Sequence, residues 1–152
     1  MLFLLFRLGS DRYVLDAAQI AEIVPFVRIK QVPQGPAGLA GLLDYRGRPV
    51  PVFDVSLLAL GQATQVRLST RIVLAHYPPG GSGLLGLMVE KATETIRREP
   101  ADFAATGLRH DEAPYLGPVC KDQGGLLQWI DVNRLLPDAV RKQLFFEPTA
   151  EH

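Results

Sequence analysis

Short runs of apolar residues, separated by glycine, proline and aspartate, recur along the whole chain. The first run covers Leu2–Leu8 and shows no regular alternation of polar and apolar positions. Such a run is typical of a strand that is buried on both faces. Gly9, Ser10 and Asp11 follow as a turn signal, and residues 13–15 form a second apolar run. We therefore predict two strands joined by a turn.

A short helix is predicted after Asp16, over residues 17–23, because an aspartate in front of an apolar stretch is a typical N-cap. Ile20 and Ile23 would lie on one side of this helix. Pro25 would end it. The apolar side chains of this region favour packing in the core, although they would also suit a binding groove.

The clearest hairpin consists of residues 41–45 and 49–53, joined through Arg46, Gly47 and Arg48. Gly47 supplies the positive φ that a tight turn requires. The Arg46 guanidinium would then be presented to solvent on a rigid support, where it could bind a carboxylate of a partner protein. From the residues alone, a turn residue that only keeps the hairpin soluble is the favoured interpretation of Arg46, and binding of a partner is the alternative.

The rest of the chain continues with strands, turns and short helices. Asp54 and Asp131 each precede a leucine-bearing stretch and are predicted N-caps. Gly86 lies inside a predicted strand, where a glycine often marks a bulge or a close approach of two backbones. The other predicted elements are a helix over 55–60, a loop over 62–69, strands over 71–76, 84–89 and 93–97, a hairpin of 115–121 and 126–130, a helical turn over 132–136 and a terminal helix from Pro137 to about Phe146.

Two segments of the chain resemble each other. Residues 52–58 (VFDVSLL) and residues 129–136 (WIDVNRLL) each predict the end of a strand, an aspartate cap and a helical turn. This repeat indicates two similar β subdomains packed together. Short strands with closely spaced turns favour barrels over a parallel sheet. The predicted fold is therefore mainly β, with two β-barrel subdomains, short helices and a C-terminal helix.

Composition and charge narrow the class of function. The chain has 152 residues, 47% of them hydrophobic, which suits one domain or two small subdomains with a shared core. Its 16 basic and 16 acidic residues cancel, whereas a nucleic-acid-binding protein normally has a basic excess. A small nucleic-acid-binding barrel is therefore the less favoured interpretation, and we predict no nucleic-acid partner.

The cysteine content and the N-terminal sequence indicate the compartment. Cys120 is the only cysteine, so no disulfide can form within the chain and a reducing compartment is expected. The apolar start stops at Arg7 and lacks the order of regions found in a signal peptide. Since no apolar run has the length of a membrane span, we predict a cytoplasmic protein without membrane insertion.

The sequence lacks the motifs of nucleotide-binding loops and nucleophile elbows. His76, His110 and His152 have no second ligand at helix or hairpin spacing, which argues against a metal site. Cys120 lacks a CxxC partner and is expected to be a buried small residue. A small hydrolase using Cys120 or His110 is the enzymatic alternative, but no nucleophile–base pair is visible.

Asp16, Asp54 and Asp131 could suggest acid–base catalysis. Each precedes a predicted helical turn, where a carboxylate accepts hydrogen bonds from unpaired backbone N–H groups. Helix capping therefore explains these three aspartates better than acid–base catalysis does. We predict no enzymatic activity, no cofactor and no bound metal.

The ordered set of motifs resembles the CheW family of chemotaxis coupling proteins. Residues 41–54 (GLLDYRGRPVPVFD) are similar to the family signature GxxNLRGxxxPxxDL. The resemblance continues along nearly the whole chain. Residues between 3 and 23 are similar to the opening strands and first helix of the family, residues 86–90 (GLMVE) to its GLxVDxV stretch, and residues between 115 and 136 to its closing hairpin and helix.

This resemblance implies a single CheW-like domain over residues 1–152, made of two SH3-like β-barrel subdomains. It also implies a hydrophobic groove between them for the helical hairpin of a chemoreceptor, and docking of the barrel ends on the regulatory domain of a CheA-like histidine kinase. Receptor contacts carry over by motif position to Ile20, Gly41, Arg46 and Gly86, where the glycines would let a helix backbone come close. The implied function is a non-enzymatic adaptor, cytoplasmic and recruited to receptor arrays at the membrane.

The chain departs from the family pattern at several positions. Asp44 replaces the usual Asn, Tyr45 the usual Leu and Glu90 the usual Asp, and Trp129 is an unusual apolar residue at its position. Asp44 would pair with Arg46 and compete with a partner. These departures make a scaffold of a surface-sensing or twitching-motility pathway as good an interpretation as one of the main chemotaxis array.

Overall fold

The computed structural model describes residues 1–78, 81–108 and 111–144, without the side chain of Thr93. In these residues the chain is mainly β, as predicted. The strands are β1 (Leu2–Leu8), β2 (Asp11–Asp16), β3 (Ile20–Pro25), β4 (Leu39–Tyr45), β5 (Arg48–Asp54), β6 (Thr70–His76), β7 (Leu84–Arg97), β8 (Leu116–Asp122) and β9 (Gly125–Ile130). The helices are α1 (Val55–Leu60) and α2 (Asp138–Leu144), with single 3₁₀ turns at Ala17–Gln19, Pro100–Asp102 and Val132–Arg134.

The long strand β7 belongs to both halves of the molecule. Residues 84–90 of this strand pair with β6, and its C-terminal part pairs with β1. Two separate strands were predicted here, over 84–89 and 93–97, and that prediction was wrong. The strand continues without a break through Lys91, whose φ is 53°. Three residues of β7, between Glu90 and Glu94, lie opposite the single residue Phe6 of β1, so the irregularity is an insertion of two extra residues in β7.

The strands form two groups around β7. The first subdomain contains β3, β4, β5, β6 and the start of β7; the second contains the end of β7 with β1, β2, β9 and β8. In each group the sheet is curved, and its two ends are connected by one isolated pair of residues. Lys30 and Leu42 exchange two backbone hydrogen bonds of 2.8 Å in the first, and Ala104 and Val119 exchange bonds of 2.8 and 3.0 Å in the second.

Three hydrophobic clusters explain why the apolar runs do not alternate. On β6, Ile72 and Leu74 pack inside the first subdomain, whereas Val73 and Ala75 face a cluster shared by both subdomains. On β1, Phe3 packs inside the second subdomain, whereas Leu4 and Phe6 face the shared cluster. Both faces of these strands are therefore buried, which favours apolar residues at every position.

Trp129 is partly buried and packs against the hydrophobic cluster of the second subdomain. Its ring centroid lies 4.8 Å from that of Phe3, in an edge-to-face arrangement, and 5.1 Å from that of Phe103. Aromatic pairs at such distances and angles are stabilising. The departure from the family pattern at this position is therefore accommodated by packing.

The three predicted aspartate caps are confirmed. Asp16 accepts a hydrogen bond from Ala18 N–H at 2.9 Å, Asp54 from Leu57 N–H at 3.2 Å and Asp131 from Asn133 N–H at 3.0 Å. Each carboxylate therefore has a structural role at the start of a helical turn. The bounds predicted for α1, residues 55–60, are also confirmed, and Gly61 after the helix adopts the left-handed conformation with a φ of 72°.

The predicted helix over residues 17–23 was wrong beyond its first turn. The helical part ends at Gln19, and β3 begins at Ile20 and pairs antiparallel with β6. Isoleucine and valine favour strands because of their branched side chains, and β6 offers a pairing partner. Ile20 is half-buried, whereas Ile23 is exposed, so the two do not share a buried side.

The C-terminal helix packs on the shared cluster through Val140 and Leu144. The helix was predicted to continue to about Phe146, but residues 145–152 lie outside the described residues.

An ion network within the second subdomain links the end of β8 to β2 and to the end of β7. Asp122 accepts hydrogen bonds from Arg12 and Arg98, each at 2.7 Å. The Arg12 bond holds the pKa of the Asp122 carboxyl below its usual value. Because Arg12 lies on β2 and Arg98 follows β7, one carboxylate links three parts of the sheet.

Candidate functional site

Arg46 lies at the tip of the β4–β5 hairpin, as predicted. The turn consists of Arg46 and Gly47, whose φ values are 54° and 80°. Positive φ at both central residues is the signature of a type I′ turn, which suits the twist of a two-residue hairpin. The turn is tightened by Asp44, whose Oδ1 accepts a hydrogen bond from Gly47 N–H at 2.8 Å.

The expected pairing of Asp44 with Arg46 is therefore wrong. The described contacts of the Asp44 side chain are with the turn backbone, and Arg46 instead lies 3.4 Å from Glu22, measured from Nη2 to Oε1. An Asp or Asn side chain before a turn readily bonds to backbone N–H groups two or three residues ahead. Asp44 thus stabilises the turn and leaves the guanidinium available.

Glu22, Tyr45 and Arg46 form a group that we name the Arg46 cluster. The Tyr45 hydroxyl donates a hydrogen bond to Glu22 Oε1 at 2.7 Å, and Arg46 Cζ lies 5.0 Å from the centroid of the Tyr45 ring. The hydrogen bond to Glu22 raises the pKa of Tyr45 above its usual value. The cluster therefore joins β3 to the tip of the neighbouring hairpin.

The Arg46 side chain remains open to a partner within this cluster. It is 77% exposed, and its described side-chain contacts are the single bond to Glu22 and the Tyr45 ring. An exposed ion pair contributes little free energy. A carboxylate on another protein could therefore bind the remaining N–H donors of the guanidinium at small cost.

Sequence reasoning missed Glu22. It was assigned to a helix, and nothing in the chain indicates that it would meet a turn 24 residues later. In β3, Ile20 and Glu22 are both half-buried and Ile23 is exposed, and Val27, two residues after the strand, is exposed as well. Recognition of β3 as a strand would have corrected the helix assignment, but the position of Glu22 near Arg46 depends on the pairing of distant strands.

Gly41 is buried on β4, beneath the segment that follows β3. A Cβ at this position would overlap the carbonyl oxygen of Lys30 and lie 3.2 Å from Ile29 Cδ1. The glycine thus allows the backbone around Lys30 to reach β4 and pair with Leu42. A cavity of about 740 Å³ lies beside this junction, with Phe26, Ile29 and Leu42 among its lining residues.

Gly86 lies in the interior of the first subdomain. A Cβ here would be 2.8 Å from Val52 Cγ2 and 3.2 Å from Ile72 Cγ2. The missing side chain therefore makes room for neighbouring strands of the same chain. The atoms that a Cβ would meet first belong to side chains of β5 and β6, and the pairing of Gly86 with β6 is regular, so the glycine makes room for side-chain packing and does not mark a bulge.

We predict that Gly86→Ala lowers the free energy of unfolding by about 1–3 kcal/mol, because the added methyl group must displace branched side chains in a filled core. Urea denaturation measures this loss. Val52→Ala removes the nearest atom, so the double variant should lose less than the sum of the two single losses. Strictly additive losses would show that Gly86 and Val52 do not share this space.

The four residues inferred from the family pattern therefore differ in position. Arg46 is exposed, Ile20 is half-buried on β3 and packs against the shared cluster, and Gly41 and Gly86 are buried. The structure brings Arg46 together with Glu22, two positions from Ile20. The two glycines lie among residues of their own chain.

The described residues give no indication of a catalytic or metal centre. Within residues 1–78, 81–108 and 111–144, no group of three or more His, Cys, Asp or Glu side chains could hold a metal ion. Cys120 is buried in β8, and its thiol contacts the backbone carbonyl of Lys121. His110 and His152 lie outside the described residues. In the same part of the chain, every helix is too short or too polar to cross a membrane.

Comparison with known proteins places these features in one family. Residues 2–140 match the family model described as CheW-like domain. The fold is similar to that of the scaffolding protein TtCheW from Thermoanaerobacter tengcongensis, with a TM-score of 0.80 and 20% sequence identity over 91% of this chain and 89% of that chain. The expected architecture of two SH3-like β subdomains is thereby confirmed. No curated protein sequence matches the chain.

Proposed function

The chain belongs to the CheW-like domain family, and from this we propose that it is a non-enzymatic adaptor that couples a chemoreceptor to a CheA-like histidine kinase. The observation that supports the proposal most strongly is the exposed Arg46 guanidinium, which a two-residue turn and the Tyr45 ring hold at the tip of the hairpin. Because the turn and the ring limit its motion, less entropy is lost when a partner binds.

The receptor side of the adaptor is assigned to Arg46 and Ile20. Arg46 would bind a carboxylate of the receptor's cytoplasmic helical hairpin, and the apolar Ile20 would contact the same helices. Gly41 and Gly86 contribute to this surface indirectly, since each allows the strands of the first subdomain to pack closely. Their substitution would change the shape of the surface through the fold.

The kinase side requires a second surface, because an adaptor must hold both partners together. Helix α1 and the loop after it expose several large apolar side chains, namely Leu57, Leu60, Val66 and Leu68. Leu68 is 99% exposed, so its burial by a partner would gain the full hydrophobic free energy of a leucine side chain. Exposed apolar surface is a mark of protein contacts, and we assign this segment of the chain to the regulatory domain of the kinase.

Coupling of the two partners would be thermodynamic. Binding of receptor and kinase to one adaptor raises their effective concentration toward each other. A receptor state that favours one arrangement of the complex then shifts the kinase between its own states. No covalent step by the adaptor is needed for this function.

The protein would work in the cytoplasm at membrane-associated receptor arrays. The pathway is either the main chemotaxis array or a surface-sensing or twitching-motility system, as the departures at Asp44, Tyr45 and Glu90 allow. In both alternatives the partners are a chemoreceptor and a CheA-like kinase. The alternatives differ in which chemoreceptor the adaptor binds.

Affinity capture from the native lysate, with partners identified by mass spectrometry, tests the proposal. We expect a chemoreceptor and a CheA-like kinase to be recovered together, and the identity of the receptor would name the pathway. The control is the same tag on an unrelated β-barrel protein of similar size. Recovery of neither partner, from cells shown to express both, would overturn the proposed function and leave the fold unchanged.

A further inference from the structure

Tyr45 contacts both charged members of the Arg46 cluster. Its hydroxyl donates to Glu22 Oε1 at 2.7 Å, and its ring lies under the Arg46 guanidinium at 5.0 Å. The ring itself is partly buried and packs against the core of the first subdomain. One side chain anchored in the core therefore contacts a carboxylate with one end and an arginine with its face.

Without Tyr45, Glu22 and Arg46 would interact more freely. Their present contact is one N–O distance of 3.4 Å, longer than the usual charge-assisted hydrogen bond of about 2.7–2.9 Å. The oxygen that faces Arg46 already accepts the Tyr45 hydroxyl. Loss of the hydroxyl would free that oxygen for a closer pair with Arg46, which would hold the guanidinium within its own chain.

We propose that Tyr45 is a positioning residue for receptor binding, which keeps Glu22 from capturing Arg46 and orients the guanidinium toward a carboxylate of the receptor. This inference rests on the proposed function. Tyr45 would thus be a cause of receptor preference in this protein, at a position where the CheW pattern has leucine. A leucine there could neither occupy the Glu22 oxygen nor offer a ring face to the arginine.

The test is a binding series against the soluble cytoplasmic hairpin of the chemoreceptor from the same cell, with the full-length adaptor. We expect Tyr45→Phe to raise the Kd by up to about fivefold, because the receptor must then break an exposed ion pair between Glu22 and Arg46, and exposed ion pairs change an equilibrium by about that factor at most. Glu22→Gln in the same chain removes the competing charge. The double variant Tyr45→Phe/Glu22→Gln should therefore recover a Kd close to that of the wild type.

The rescue separates positioning from a general structural role. If Tyr45 only supported the fold, removal of the Glu22 charge would not restore binding. Tyr115→Phe is the matched control, because Tyr115 is buried in the shared cluster and has no contact with Arg46. It should leave the Kd unchanged.

A second measurement tests the cluster in the free adaptor. Tyrosine labelled with ¹³C at Cζ reports each phenol pKa by NMR, and the Tyr45 signal is identified by its loss in Tyr45→Phe. Glu22→Gln should lower the Tyr45 pKa, because the charged acceptor that favours the protonated phenol is removed. An unchanged Tyr45 pKa would show that the hydrogen bond does not exist and would overturn the inference.

The outcomes distinguish this inference from the function on which it rests. Wild-type binding with no effect of Tyr45→Phe, or a loss that Glu22→Gln does not rescue, overturns the role of Tyr45 and leaves the adaptor function standing. Absence of wild-type binding overturns both. Loss in Tyr45→Phe with recovery in the double variant supports the inference.

Discussion

Arg46→Glu should weaken binding of the chemoreceptor hairpin by at least about 30-fold, which corresponds to about 2 kcal/mol and is typical of a central interface residue. The substitution reverses the charge that would meet a receptor carboxylate, and it places a second carboxylate beside Glu22. The fold should be retained, since the Arg46 side chain is 77% exposed and the turn is held by Asp44 and Gly47. Isothermal titration calorimetry at physiological salt measures the change in Kd.

Two controls show whether the loss is specific to this guanidinium. Arg48→Glu makes the same change of net charge on the same hairpin, but Arg48 contacts the Ser82 carbonyl of its own chain, so binding should change by less than about threefold. The exchanged pair Glu22→Arg/Arg46→Glu restores the attraction between the two side chains. It should still bind poorly, because the positive charge has moved from the hairpin tip to β3.

Unchanged receptor binding by a folded Arg46→Glu protein would contradict the assignment of Arg46 to the receptor surface. Equal losses in Arg46→Glu and Arg48→Glu would mean that the hairpin acts only through its net charge. Both results would leave the fold and the family membership unaffected.

Asp54→Ala should lower the free energy of unfolding by about 3 kcal/mol, more than a simple helix cap is worth. Asp54 is nearly buried, with 5% of its surface exposed, and accepts three hydrogen bonds. One comes from Leu57 N–H at the start of α1, and two come from the backbone and hydroxyl of Thr64, at 2.8 and 2.7 Å. Alanine would leave these donors unpaired in a place with little access to water.

Asp131→Ala is the matched control, since Asp131 occupies the same place in the second copy of the repeated unit. It accepts one backbone hydrogen bond, from Asn133, and makes an exposed contact of 3.8 Å with Arg134. Its loss should cost about 1 kcal/mol. Urea denaturation of both variants measures the difference, and equal losses would show that the bonds to Thr64 add nothing.

Local elements of this fold could be predicted from short stretches of sequence. The β4–β5 hairpin and the end of α1 follow from Gly47 and Gly61, which adopt conformations that other residues rarely occupy. The caps at Asp16, Asp54 and Asp131 follow from the bonding needs of helix ends. In each case the cause and the effect lie within a few residues, so no knowledge of distant partners is needed.

The failures arose where distant partners decided the structure. Residues 20–25 became a strand because β6, some 50 residues later, pairs with them. Strand β7 continues through Lys91 because β6 binds its first part and β1 its second. Propensity is a weak determinant where backbone groups gain partners in a sheet, so these outcomes could not be seen in the local sequence.

For the candidate site, the sequence by itself determined that an arginine stands at the tip of a tight hairpin, through Gly47 and the apolar strands on either side. Tertiary structure alone decided what surrounds it: Glu22 from β3 now contacts Arg46 and Tyr45, and Gly86 faces Val52 inside the fold. The physical reason is that turns and caps are formed by neighbours in the chain. Side-chain clusters and close packing form only when strands that are distant in sequence have paired.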